Sequence, residues 1–281
     1  MRLGTERTLE ADDLAGTGRD PLDPIEGVTT GGGDMVVPVD LRAFGHWLRL
    51  VFGAPVTAGA TGAYTHTFGS GSWSLPSMAV DMGFPEVPHY PLVDGVMANS
   101  LELSLSDTGF ANATLNLLAR KEMPATTSRD ETPDDIVLER FGQFHAAIKS
   151  GGNALAEIVS ATLNYNNNLD PARNVGSAGL ISGADPLKAT CTGNLQARFA
   201  STALLDLATN KTPLDLEFSF TISSTKKLTV TAHRVFLPKP KTSISGPAGI
   251  QVPFAWQAVK ATSSPSRMVT AVLANDVASY A

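Results

Sequence analysis

The spacing of apolar residues along this chain is helical in one clear place and strand-like in many. Leu41, Phe44, Leu48 and Val51 recur at helical spacing while Arg42, His46 and Arg49 fall on another side, which predicts an amphipathic helix over residues 40–52 with its apolar face against a sheet. Asp40 is placed to cap it, Gly53 and Pro55 to stop it, and Trp47 and Phe52 lie at the margins of the apolar face. After this segment the period becomes two. Leu101, Leu103 and Leu105 alternate with Ser100, Glu102, Ser104 and Ser106. A turn at Asp107-Thr108-Gly109 then leads to Ala111, Ala113, Leu115 and Leu117 alternating with Asn112, Thr114 and Asn116. That pattern predicts a β-hairpin over 97–120 with one face buried.

Leu214, Leu216, Phe218, Phe220 and Ile222, interleaved with Asp215, Glu217, Ser219 and Thr221, give the sharpest single strand. Further strands are expected at 64–68, 77–83, 141–147, 155–165, 193–199, 228–236, 250–259 and 267–275, the last two as a closing hairpin, with one more short helix at 201–209. Strands that follow strands through short connections predict a mainly β fold: an antiparallel sandwich or open barrel with one or two flanking helices and no βαβ units. The order helix, strand, strand, hairpin occurs twice, which raises an internal duplication as a possibility.

Three segments interrupt the rhythm. Residues 1–35 contain no aromatic side chain and include Pro21, Pro24 and Gly31-Gly32-Gly33; such a stretch builds no core and is expected to be an extended N-terminal arm before a β-rich domain at 36–281. Residues 121–140 carry two prolines and nine charged side chains. Structureless connections of that length serve as linkers or reach outside their own domain, so a duplicated chain would divide here into units at about 36–130 and 141–281. Residues 237–248, with Pro238, Pro240, Pro247, Lys239 and Lys241, form the second exposed loop.

Charged residues make up 17% of the chain, against about 25% in an average soluble domain. A surface short of Lys and Glu resembles the centre of a protein–protein contact. The net charge of −6 argues against a surface that holds nucleic acid statically, though not against an acidic channel through which DNA slides. The single cysteine, Cys191, excludes an intrachain disulfide and a cysteine-rich zinc site and is expected in the core. There is no basic start followed by an apolar run, and no stretch reaches the ~18 apolar residues of a membrane span; the expectation is a soluble protein made in a cytoplasm, without membrane contact.

The residues offer little catalytic chemistry. Gly31-Gly32-Gly33 lacks the Lys-Ser/Thr of a phosphate loop and is expected to be a flexible hinge. Gly69-Ser70-Gly71-Ser72 does not match a nucleophile elbow and fits a hairpin turn. His46, His66, His89, His145 and His233 show no metal-ligand spacing. Asp12-Asp13 and Asp134-Asp135 lie in the arm and the long loop, where solvated charge is the ordinary explanation. No enzyme, metal or cofactor is expected.

The segment Val37-Pro38-Val39-Asp40 opening a helix that ends at Gly53, then Tyr64-Thr65-His66-Thr67-Phe68, Leu75-Pro76-Ser77, and Gly95 before Asn99-Ser100-Leu101 resembles the tail tube (major tail) proteins of long-tailed bacteriophages. The match is best over residues 27–120. It implies two packed antiparallel sheets with a flanking helix, subunits joined through their sheets into rings, and rings stacked into a hollow conduit for genome delivery. It also implies a virion component assembled in the host bacterial cytoplasm. Its expected partners are copies of itself, as three duplicated chains or six chains per ring, the tape-measure protein, the tail terminator and tail tip proteins, and phage DNA in transit. Arms and long loops of this family reach neighbouring subunits, which here points to Leu3, Leu9, Leu14 and Ile25 of the arm and to Arg129, Asp134 and Asp135 of the loop. The inner sheet turns its polar face to the lumen, and the cleanest polar faces supply Glu102, Asp215 and Glu217, whose charge would repel phosphates. The other function considered is a receptor- or carbohydrate-binding β-sandwich of a tail tip or cell surface. That function would call for exposed aromatics in loops, whereas Trp47, Trp73 and Trp256 lie in or beside expected regular elements.

Overall fold

The computed structural model describes residues 2–11, 20–155, 157–198, 201–241 and 250–280. The strands are β1 (Gly4–Glu10), β2 (Ile25–Pro38), β3 (Val56–Ala60), β4 (Ala63–Gly69), β5 (Met78–Asp81), β6 (Leu92–Leu105), β7 (Asn112–Leu118), β8 (Lys121–Met123) and β9 (Ala146–Ser150). They continue as β10 (Asn153–Ala154), β11 (Ile158–Asn166), β12 (Leu169–Arg173), β13 (Ile181–Pro186), β14 (Thr190–Arg198), β15 (Leu214–Ser223), β16 (Lys226–Phe236), β17 (Gln251–Ala258) and β18 (Val269–Asn275). Among the described residues two α-helices accompany them, α1 (Phe44–Phe52) and α2 (Ala203–Thr209), with a 3-10 turn at Gln143–His145.

All the strand pairs are antiparallel. One hydrogen-bonded network branches at β16 and folds over a single core. Its first arm, sheet A, runs β1-β2-β7-β6-β11-β14-β17, and its second, sheet B, runs β3-β4-β18-β16-β15-β9-β10. Strand β16 can serve both because its C-terminal end pairs with β17 at Val235 and Phe236 while Lys227–Ala232 pair with β18. Strands β5 and β8 extend the start of β6, and β12–β13 stand apart as a separate hairpin.

Period-two alternation places Leu101, Leu103, Leu115, Leu163 and Leu195 of sheet A, and Leu216, Phe218, Leu228, Val230 and Leu273 of sheet B, in the core at 1% exposure or less. The layers meet where Phe218 lies 5.9 Å from Trp256 between ring centroids. Helix α1 closes one side, burying Phe44, Leu48 and Val51. Asp40 caps the turn entering it: Oδ1 accepts the N–H groups of Arg42 and Ala43, both at 2.7 Å.

The antiparallel β fold, the α1 face and the 97–120 hairpin follow the alternation. Several local expectations do not. Strands β17 and β18 form no hairpin, because the longer β16 lies between them and takes both as partners. Gly69-Ser70-Gly71-Ser72 is likewise no hairpin turn, since β4 pairs with β18 and β5 with β6. Ser70 Oγ instead accepts the N–H groups of Met268 and Val269. Gly31-Gly32-Gly33 is not a hinge but the middle of β2. The backbones of β1 and β7 approach so closely that a Cβ on Gly32 would lie 2.3 Å from Leu117 O, and both Gly32 and Gly33 have φ of +146°. Strand β3, Val-Thr-Ala-Gly-Ala, alternates too weakly to be found from the pattern and pairs with β4 through a two-residue turn at Thr61-Gly62.

Candidate assembly surfaces

The outward face of sheet A is built from the polar half of each alternation. Register aligns its side chains in rows across the strands. One row runs Thr114, Glu102, Asn164, Thr192, Gln257, and the next runs Ser104, Thr162, Asn194, Ala255. A third joins Asn116, Ser100, Asn166 and Thr190. From β7 to β17 Glu102 is the only ionisable residue in these rows; on β2 the third row continues to Asp34, which accepts from Asn116 Nδ2 at 2.8 Å, and the first to the exposed Val36. Lys211, Phe236 and Pro238 rise beside them and turn the surface into a groove. Hydroxyl and amide side chains keep most of this face wet and uncharged, with fixed charge at Glu102 and Lys211.

Asp215 and Glu217 occupy a different place. They alternate with the buried Leu216 and Phe218 on β15, so they project from sheet B, away from the core that separates them from Glu102. Both are engaged within the chain. Asp215 Oδ1 accepts from Gly151 N–H at 2.8 Å and Ser150 Oγ at 3.2 Å, and Glu217 pairs with Lys149 at 3.3 Å.

The arm and loop residues are dispersed. Leu3 packs into the core, Leu9 and Ile25 are 69% and 65% exposed on the β1–β2 hairpin, and Leu14 lies outside the described residues. That hairpin is tied to β12–β13 where Thr29 N–H donates to Gly179 O at 3.1 Å and Arg173 Nη1 donates to Thr29 O at 3.2 Å. In the long loop the Arg129 N–H is held by Asp81 Oδ2 at 3.1 Å, while Asp134 and Asp135 are exposed. Sequence reasoning missed the exposed apolar groups here: Ile136-Val137-Leu138 in the loop, and Phe110 and Phe144, 62% and 80% exposed. Three adjacent β-forming apolar residues inside a charged loop were the available signal. Trp73, expected near a buried element, is 77% exposed.

Among the described residues no group of three His, Cys, Asp or Glu side chains could hold a metal ion, and no helix is long and apolar enough to cross a membrane. Cys191 is buried, which pushes its thiol up to about 12. His66 is fully buried as a packing group, with Nδ1 2.9 Å from Thr57 Oγ1 and Nε2 2.8 Å from Val277 O. His233 meets Thr270 Oγ1 at 2.7 Å, and burial followed by the charge of Arg267 lowers its pKa.

Comparison with known proteins adds one match. The family described as phage tail tube protein fits residues 3–258. No curated protein matches the chain.

Proposed function

We propose, because this chain belongs to the phage tail tube protein family, that six copies close each ring of the tube and that the outward face of sheet A lines its lumen. The chain is a structural subunit of the bacteriophage tail tube, a virion component that assembles with copies of itself. Six copies, rather than three duplicated ones, are favoured because both halves of the chain share one core. β4 from the first half pairs with β18 from the second, and β6 with β11.

The observation that carries the lumen assignment is the charge-poor character of the rows around Glu102. A conduit for DNA works best when its wall offers few phosphate-binding charges and few apolar footholds, and the rows of Asn, Thr, Ser and Gln supply most of such a wall, with Lys211, Phe236 and Pro238 confined to the side of the groove. On this reading Asp215 and Glu217 lie away from the lumen, Leu3 anchors the arm in its own chain's core, and Leu9 and Ile25 of the arm and Arg129, Asp134 and Asp135 of the loop serve contacts between subunits. The protein has no catalytic role and needs no cofactor. Its further partners are the tape-measure protein in the lumen before ejection, the terminator and tip proteins at the tube ends, and DNA in transit, with assembly in the host cytoplasm. Negative-stain microscopy of the purified protein, with the mass of its smallest ring, tests this. Stacked rings of six are expected, and a strict monomer at high concentration would refute it.

A further inference from the structure

We infer that the free edge of β3 accepts a strand from a second copy of this chain, and that subunits join through it; this rests on the tube-forming role above. An unpaired sheet edge presents the N–H and C=O of alternate residues as a template for another strand, so edges are either blunted or filled.

Most edges here are blunted. In β2, Val39 N–H bonds Ala111 O and Ala119 N–H bonds Gly31 O, so odd-numbered residues face β7 and even-numbered ones face away. Asp34 O is taken by Arg2 N–H. Beyond it only Val36 and Pro38 face outward, and Pro38 has no N–H to give. In β17, Val259 N–H bonds Arg234 O, and the same parity turns Gln251, Pro253 and Ala255 toward the open side, with the middle donor missing. On β1, Thr5 N–H is capped by Glu122 Oε2 at 3.0 Å, and the register shifts between Arg7 and Leu9. β10 has two residues, and β5 has four with an irregular register.

Among the described residues β3 has none of these devices. Its five residues, Val56-Thr57-Ala58-Gly59-Ala60, are all exposed, carry no charge or proline, and pair with β4 without a register shift. Ser70 N–H bonds Val269 O, so even-numbered residues of β4 face β18 and odd-numbered ones face β3. The partners of the odd residues are Val56, Ala58 and Ala60, leaving Thr57 and Gly59 to aim N–H and C=O outward. Val56, 75% exposed, adds apolar surface beside them. Two β3 strands pairing about a two-fold axis would give closed dimers, so the added strand is a different segment of the neighbour, which a growing tube requires.

The test uses the full chain, with assembly followed by light scattering and negative-stain microscopy and folding by thermal melts. Thr57→Pro removes one outward N–H and no intrachain ladder bond, and Val56→Lys places a charge on the edge. Thr57→Val controls for the lost Thr57–His66 hydrogen bond. Thr57→Pro and Val56→Lys are expected to melt as folded chains yet need at least tenfold more protein to assemble, while Thr57→Val assembles like the unaltered chain. If Thr57→Pro does not fold, Val56→Lys decides alone. Normal tubes from folded Val56→Lys would overturn the edge assignment and leave the tube role standing; an unaltered chain that never assembles would overturn the role itself.

Discussion

Arg42 and Asp276, 234 positions apart, form a forked ion pair: Arg42 Nε lies 2.9 and 3.1 Å from the two Asp276 carboxylate oxygens, and Nη2 lies 2.6 Å from Oδ2. The pair fastens the turn entering α1 to the residue after β18. Glu139, itself bound by Lys226 Nζ at 2.8 Å, lies 4.0 Å from the same guanidinium.

The hydrogen bond from Arg42 holds the Asp276 carboxyl below its ordinary range. A carboxylate depressed in the folded state contributes stability that is complete above its unfolded pKa and is lost as pH falls through the folded one. The Asp276 side chain is 39% exposed, so solvent screens the pair and Asp276→Asn is expected to cost only about 0.5–1 kcal/mol at neutral pH. Urea melts should show that difference at pH 7 and lose it well below the ordinary carboxylate pKa. A cost that persists there would mean that packing, not charge, holds the junction.

Tyr280 completes the same junction. Its hydroxyl donates to Arg42 O at 2.6 Å and accepts from Asn275 Nδ2 at 2.7 Å. Its ring lies so close over Gly45 that a Cβ there would stand 2.1 Å from a ring carbon. Gly→Ala inside a helix is ordinarily favourable by about 1 kcal/mol, but Gly45→Ala is expected to destabilise by about 1–3 kcal/mol through overpacking. Tyr280→Phe strips a donor from the Arg42 carbonyl and is expected to cost about 1–3 kcal/mol. Thermal denaturation of both variants checks the signs, and a stabilised Gly45→Ala would show that the ring can move aside.

The junction also shows what the sequence could and could not disclose. Asp40 as a cap and the apolar stripe Phe44, Leu48, Val51 are local signals and are legible from spacing alone. The contacts of Arg42 with Asp276, and of His66 with Val277, depend on which strand edges meet, and period-two alternation is silent on that. For the same reason β17 and β18 look like a hairpin in sequence although β16 separates them. Glu102 and Asp215 look equivalent too, each a charge on a clean polar face, but they project from different sheets. Glycine misleads where its role is close approach: the Gly31-Gly32-Gly33 run resembles a hinge until β1 and β7 are placed on either side. β3 escapes notice because small residues serve an open edge as well as they serve a turn.

If the rows around Glu102 line the conduit, added positive charge there should trap DNA phosphates by releasing their counterions. Asn194→Lys and Thr192→Lys are expected to leave tubes intact while slowing genome release in virions, with the slowing relieved by raised salt. Asp215→Lys and Glu217→Lys, on the other sheet, are expected to release DNA at the ordinary rate. Release assays on purified virions separate the two sets, and the reverse ranking would move the lumen to sheet B.

Gly193 and Trp256 form a close cross-strand pair of sheet A, and their geometry predicts a large effect from a small change. Gly193 lies opposite Trp256 in the β14–β17 register, and a Cβ at 193 would meet Thr162 O at 1.9 Å and the indole at 2.6 Å. The buried indole therefore lies across the glycine and covers backbone that a side chain would otherwise shield. Gly193→Ala must push the indole toward Phe218 or open the β11–β14 ladder, and a packed core resists both, at an expected cost of about 2–3 kcal/mol. Trp256→Leu vacates the space that Cβ needs on one side only, since Thr162 O belongs to the ladder. The double variant should therefore be more stable than the sum of the two single losses by about 0.5–1 kcal/mol, yet remain less stable than Trp256→Leu alone. Denaturant melts of the four proteins in that cycle measure the coupling. Strict additivity would show that the indole does not constrain position 193, leaving the Thr162 carbonyl as the sole reason for a glycine there.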